Sequence, residues 1–161
     1  MKVIDNFLSP TDFKTISDEI LGQYFSWSFW HEVADFNDVD DYCNYKYFHM
    51  AFENIQLTSA VNLLAPFIND QRLDCNGMKR IILNSYPWTS EVYKHGVHED
   101  YMFPHKGALL NLTTCDGYTV VEGKKILSVA NRVILHDPSK PHYGTTTSNA
   151  KRRVVINFNY F

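Results

Sequence analysis

His98-Glu99-Asp100, followed far downstream by Val133-Ile134-Leu135-His136-Asp137-Pro138-Ser139-Lys140-Pro141-His142, decides how this chain is read. A histidine and a carboxylate separated by one residue project to the same side of a strand end. The second run reads as an apolar strand, then a turn set by two prolines, then a histidine that opens a new strand. Two imidazoles and one carboxylate brought together would make a three-ligand face with open positions on an octahedral metal. That pattern points to non-haem Fe(II) oxygen chemistry rather than to a closed structural site. His136 is a rival for the third ligand. His142 is preferred because a strand start lets its side chain point into a barrel mouth.

Working outward, the second half of the chain is a series of short turn-separated strands, expected at residues 80–86, 90–98, 108–112, 118–122, 125–127, 132–136 and 152–160. The first half opens differently. Val3 and Ile4 form a short strand, Ser9 can cap a helix that Pro10 begins, and Phe13, Ile16, Ile20 and Leu21 recur at helical spacing through residue 24. Residues 25–33 and 42–50 read as strands, the second with Cys43, Tyr45, Tyr47 and His49 on one face. An acidic loop spans residues 35–41. A helix is expected over residues 52–69, with Ile55, Ala60, Leu63, Leu64 and Phe67 as its buried stripe and Pro66 shortening its last turn. The fold class is mainly β with flanking helices, a double-stranded β-helix or jelly roll. One domain over residues 1–161 is expected, with 1–75 as N-terminal support and 76–161 as the core that carries the metal motif.

Composition narrows the function classes. With 45% hydrophobic and 15% aromatic residues the chain is not disordered, and its net charge of −3 argues against a partner rich in phosphate, so nucleic acid is disfavoured. There is no apolar run of roughly 20 residues and no signal-peptide pattern, so an intracellular, cytoplasmic location is the default expectation. Cys43, Cys75 and Cys115 are widely spaced and read as reduced thiols. The remaining histidines, His31, His49, His95 and His105, need no functional reading.

The ordered set of features resembles the Fe(II)/2-oxoglutarate-dependent dioxygenases, in particular the prolyl-4-hydroxylase-like branch. The His98-x-Asp100 pair, the distal His142 and the Arg152-Arg153 pair follow that family's order. Asn84-Ser85-Tyr86-Pro87, Leu110-Asn111, Asp116-Gly117-Tyr118-Thr119, Asn131 to Leu135 and the ending from Arg153 to Phe161 are similar to its other segments. The likeness runs from Ile81 to Phe161. It implies Fe(II) held by His98, Asp100 and His142, which would also be the catalytic set, with 2-oxoglutarate as cosubstrate and O2 as oxidant. It also implies an arginine for the distal carboxylate of 2-oxoglutarate. Strand parity separates the two candidates: Arg153, Val155, Asn157 and Asn159 share a face with polar character, while Arg152, Val154, Ile156 and Phe158 share a largely apolar one. Arg153 is preferred and Arg152 is held in reserve. Tyr86, Asn84 and Thr119 are further candidates for the cosubstrate pocket.

The implied reaction is hydroxylation of a peptidyl proline or another amino-acid or small-molecule C–H, with release of succinate and CO2. An aspartate at the carboxylate position favours hydroxylation over halogenation within this family. Two other functions fit the residues less well. One is a non-catalytic jelly-roll protein that binds a metal or ligand; the other is a cupin-like enzyme using Zn(II) or Mn(II). Neither substrate identity nor oligomeric state is legible.

Overall fold

The final strand of the chain lies at the centre of its main sheet. In the computed structural model, which describes residues 1–33 and 42–161, β11 (Arg152–Tyr160) pairs on one side with β5 (Met78–Pro87) and on the other with β6 (Lys106–Asn111). The sheet extends from β6 through β9 (Arg132–His136) to β1 (Lys2–Ile4). On the other side it runs from β5 through β3 (Lys46–Glu53) to β2 (Ser28–Trp30), with β4 (Gln56–Leu57) folded back on β3. A smaller sheet joins β10 (His142–Gly144), β7 (Tyr118–Val121) and β8 (Lys124–Leu127). Every pairing between these strands is antiparallel. Two antiparallel sheets enclosing a cavity, with helices outside, make a jelly-roll core.

Alternation along β11 assigns its two faces. Val154, Ile156, Phe158 and Tyr160 point to the outer face, where helix α1 (Pro10–Leu21) and the short helices α2 (Ala60–Leu63) and α3 (Ala65–Ile68) cover them. Ile16, Ile20, Leu64, Phe67 and Leu73 pack there against Ile81, Leu83, Leu110, Ile156 and Phe158, all at most 2% exposed. Each such side chain stabilises the fold by about 1.5–3 kcal/mol. Between the sheets a smaller cluster of Leu109, Val121, Ile126 and Ile134 fills one end. The other end stays open and polar.

Helix α1 begins as its sequence predicts. The Asp12 N–H donates to Ser9 Oγ at 3.1 Å, and Pro10 occupies the first turn, where its missing N–H costs nothing. Just before it, Asn131 clamps Leu8 by two hydrogen bonds of 2.9 Å, tying the N-terminal segment to the turn before β9.

The helix expected over residues 52–69 does not form as one piece. Strand β3 runs on to Glu53, and Asn54, at φ 56°, makes the tight turn into β4 that pairs Glu53 with Gln56. Asparagine tolerates that left-handed conformation, and Ile55 at the tip is 92% exposed rather than part of a buried stripe. The helical remainder is split into α2 and α3 around Leu64, just ahead of Pro66, whose ring disfavours a continuous helix. Two predicted strands are also shorter than expected. Residues 25–33 contribute only Ser28–Trp30, and residues 90–98 make only isolated bridges, Lys94 to Thr145 and His98 to His142. The acidic stretch read as a loop at 35–41 lies outside the described residues. No helix among the described residues is long and apolar enough to cross a membrane.

Candidate active site

Two bridged backbones bring together the three residues that could hold a metal. The His98 N–H donates to the His142 carbonyl and the His142 N–H donates to the His98 carbonyl, both at 2.9 Å, so the residues face each other across an antiparallel pair. Their rings lie 4.5 Å apart between centroids. Asp100, two residues on, has its own N–H bonded to the Pro138 carbonyl at 2.9 Å, which returns its side chain to the same side. One ligand atom from each of His98, Asp100 and His142 falls within 4.8 Å of the other two.

The donor set fits a divalent metal. His98 Nδ1 contacts the Gly96 carbonyl at 3.2 Å and His142 Nδ1 contacts the Lys140 carbonyl at 2.9 Å. A carbonyl only accepts, so each Nδ1 carries the proton and each Nε2 keeps its lone pair for a metal. Burial, with the neighbouring His142 adding to it, holds His98 below the usual histidine range and favours that neutral form. Burial alone would raise Asp100. The Arg80 guanidinium, 3.0 Å from Oδ1, and Asn157 Nδ2, donating to Oδ2 at 2.9 Å, outweigh it and hold the carboxyl at about 2. Asp100 is therefore ionised at any ordinary pH, as a carboxylate that could hold a metal must be.

His136 stands nearby without joining this group. Its ring is 5.3 Å from that of His142, and burial, reinforced by His142, pushes it down to about 4. It lies at the end of β9, opposite Gly107, where it packs beside the triad.

Behind the triad a cavity of about 230 Å³ runs between the sheets, lined among others by Asn84, Tyr86, Thr119, Arg153, Val155 and Asn157. Arg153 is 1% exposed, yet among the described residues no carboxylate lies within ion-pair distance of it. Its Nη1 donates to the Thr145 carbonyl at 3.1 Å and its Nη2 to Thr119 Oγ1 at 2.6 Å, and its guanidinium lies 5.5 Å from the Tyr86 ring centroid. Burial raises the Tyr86 hydroxyl above its usual range despite the pull of Arg153. Gly117 and Gly144 make room for the arginine: a Cβ on Gly117 would lie 2.7 Å from Arg153 Cδ, and one on Gly144 would lie 3.2 Å from Nη1. Arg152 points the other way. Its Nη2 donates to the Leu21 carbonyl at the end of α1, at 2.7 Å, and it lies over the Trp27 ring.

All the residues predicted for metal and cosubstrate thus line one cavity. Three others were missed. Asn157 shares the polar face of β11, so parity alone could have flagged it. Arg80 and Lys46 also line the cavity, from β5 and β3. Lys46 lies on the face of β3 opposite the one whose aromatics drew attention. Burial, reinforced by Arg80 and opposed by Asp100, lowers the Lys46 ammonium to about 8.

Neither a protein-family model nor a curated protein sequence matches the chain. Solved structures do, and prolyl hydroxylases and 2-oxoglutarate oxygenases are among them. A prolyl hydroxylase from Trichoplax adhaerens, in complex with a fragment of the hypoxia inducible factor oxygen degradation domain, superposes with a TM-score of 0.67 at 15% identity, covering 99% of this chain and 82% of that one. A prolyl-4-hydroxylase from Pseudomonas putida gives 0.63 at 10%, covering 99% and 91%. HygX from Streptomyces hygroscopicus, with nickel and 2-oxoglutarate bound, gives 0.64 at 12%, covering 98% and 81%. The chain has the jelly-roll fold of the 2-oxoglutarate/Fe(II) oxygenases, including the prolyl hydroxylases among them.

Proposed function

We propose that this protein is an Fe(II)- and 2-oxoglutarate-dependent oxygenase that hydroxylates a C–H bond of an amino acid, peptide or small molecule. One atom of dioxygen enters the substrate and the other enters succinate, with carbon dioxide released. The observation that carries this reading is Arg153, a buried cation with only neutral partners among the described residues, in the cavity that His98, Asp100 and His142 also line. Burying an unpaired guanidinium costs several kcal/mol. A dicarboxylate reaching it from the triad would offset that cost by a charge-assisted pair. A zinc hydrolase built on the same three ligands would leave Arg153 with nothing to hold.

When bound, Fe(II) supplies the activation of dioxygen. The chain's own residues do the rest. The Gly96 and Lys140 carbonyls fix both imidazoles in one tautomer, while Arg80 and Asn157 keep Asp100 ionised and oriented. Arg153, supported by Thr119, holds the far carboxylate of 2-oxoglutarate, with Tyr86 and Asn84 beside it. Ile82, Leu109 and Val155 give the cavity apolar wall that limits water. Anaerobic addition of Fe(II) and 2-oxoglutarate should produce a visible charge-transfer band, and aerobic incubation should release succinate. A chain that gives neither does not have this function.

A further inference from the structure

The cavity lining holds more positive charge than this reaction uses. Among the described residues it carries Lys46, Arg80 and Arg153 against Glu99 and Asp100. Arg80 is committed to Asp100, and the proposed cosubstrate takes Arg153. A divalent metal and the 2-oxoglutarate dianion add no net charge, so the lining stays positive, and of its cations only Arg153 has the cosubstrate's far carboxylate to hold. Glu99 is exposed, so solvent screens it. Lys46 remains, partly buried, and among the described residues no carboxylate lies within ion-pair distance of its ammonium.

Lys46 also belongs to a second, apolar cavity. A groove of about 140 Å³ beside the first is lined by Trp30, Phe48, Met50 and Ile82 together with Lys46, and both Lys46 and Ile82 are shared with the main cavity. Alternation puts Lys46, Phe48 and Met50 on one face of β3, and the edge strand β2 sets Trp30 opposite Lys46. A wall of aromatic and aliphatic groups thus leads to a single ammonium at the edge of the metal site.

We propose that the substrate oxidised at this site is a small organic anion. Its acidic group is held by Lys46, and its apolar body lies against Trp30, Phe48 and Met50. The proposal rests on the oxygenase reading and names its substrate class. An ammonium is a compact point charge with three donors, suited to a carboxylate or a phosphate oxyanion. Partial burial weakens solvent screening, so the pair is worth more here than on the surface.

The test uses ligand-observed NMR on the full chain with Zn(II) and saturating 2-oxoglutarate, so that the Arg153 end is filled. The probes are 3-phenylpropionate, its uncharged amide and phenyl phosphate. At least one of the two anions should bind about tenfold more tightly than the amide, the effect of one charge-assisted pair, and their order tells carboxylate from phosphate. Lys46→Arg should keep that preference and Lys46→Met should abolish it. Equal binding of acids and amide, or a preference that survives in Lys46→Met, overturns the proposal. So does one that disappears only in Arg153→Met. Binding of 2-oxoglutarate in the same samples tests the parent reading separately. Its absence defeats the oxygenase assignment, whereas its presence without an anion preference defeats this proposal alone.

Discussion

His98 and His142 are locked face to face by a reciprocal pair of 2.9 Å backbone hydrogen bonds, although several strands separate them along the chain. The bond pair fixes both Cα positions before any metal arrives. Three neighbouring contacts complete the frame: Gly96 and Lys140 orient the rings, and Pro138 positions Asp100. The backbone thus places the three residues, while the Arg80 and Asn157 side chains orient the Asp100 carboxylate.

Removing a ligand should therefore cost metal while the chain still folds, though Asp100 also contributes to stability through Arg80 and Asn157. His142→Ala and Asp100→Ala are expected to weaken Mn(II) binding by at least about 100-fold in anaerobic calorimetry, whereas His136→Asn stays within about tenfold. Tight binding in the His142 variant would reassign the third ligand.

The two adjacent arginines should separate cleanly. Arg153→Met is expected to raise the 2-oxoglutarate requirement at least about thirtyfold, because truncating one partner of a buried charge pair costs about 2 kcal/mol or more. Arg152→Met should leave that requirement alone and lower stability by about 1 kcal/mol in urea titration, through the lost bond to Leu21. The reverse pattern would mean that the face assignment of β11 does not govern the chemistry.

Gly117 offers an indirect probe of the same pocket. A methyl group there would lie 2.5 Å from the Thr146 carbonyl oxygen and 2.7 Å from Arg153 Cδ. Gly117→Ala should cost about 1–3 kcal/mol of stability and raise the 2-oxoglutarate requirement together. Wild-type values for both would show that the arginine has room to move.

Acid stability of the metal-free chain should report on Asp100. Its carboxyl is held at about 2 in the folded state, below the ordinary aspartate value of 3.8, so the folded form gains stability above that value and loses it as pH falls toward 2. The contribution is about 2 kcal/mol. Urea unfolding at pH 5 and pH 2.5 should show the gap between wild type and Asp100→Asn narrowing at the lower pH. A constant gap would mean that Arg80 and Asn157 do not hold the charge.

The elements readable from sequence were those whose local pattern and tertiary role agree. β9 and β11 occupy the residues expected of them because β9 is a short apolar run bounded by turns and β11 alternates an apolar outer face with a more polar inner one. The Ser9-Pro10 start of α1 was equally plain, since capping is local. The 52–69 segment failed because the single Asn54 turn, worth little to a periodicity count, let β3 pair with β5 instead. Lys46 and Arg80 escaped notice because a charged residue in a strand looks like any solvated one until its neighbours are known.

The type and order of the donor residues, and the alternation that aims Arg153 inward and Arg152 outward, are properties of the linear chain, since side-chain direction along a strand follows from its two-residue period. That His98 meets His142, that Arg153 has no acidic partner among the described residues, and that Lys46 opens onto an apolar groove are properties of the folded sheets. Burial and charge balance depend on which distant strands become neighbours, and no local period encodes that.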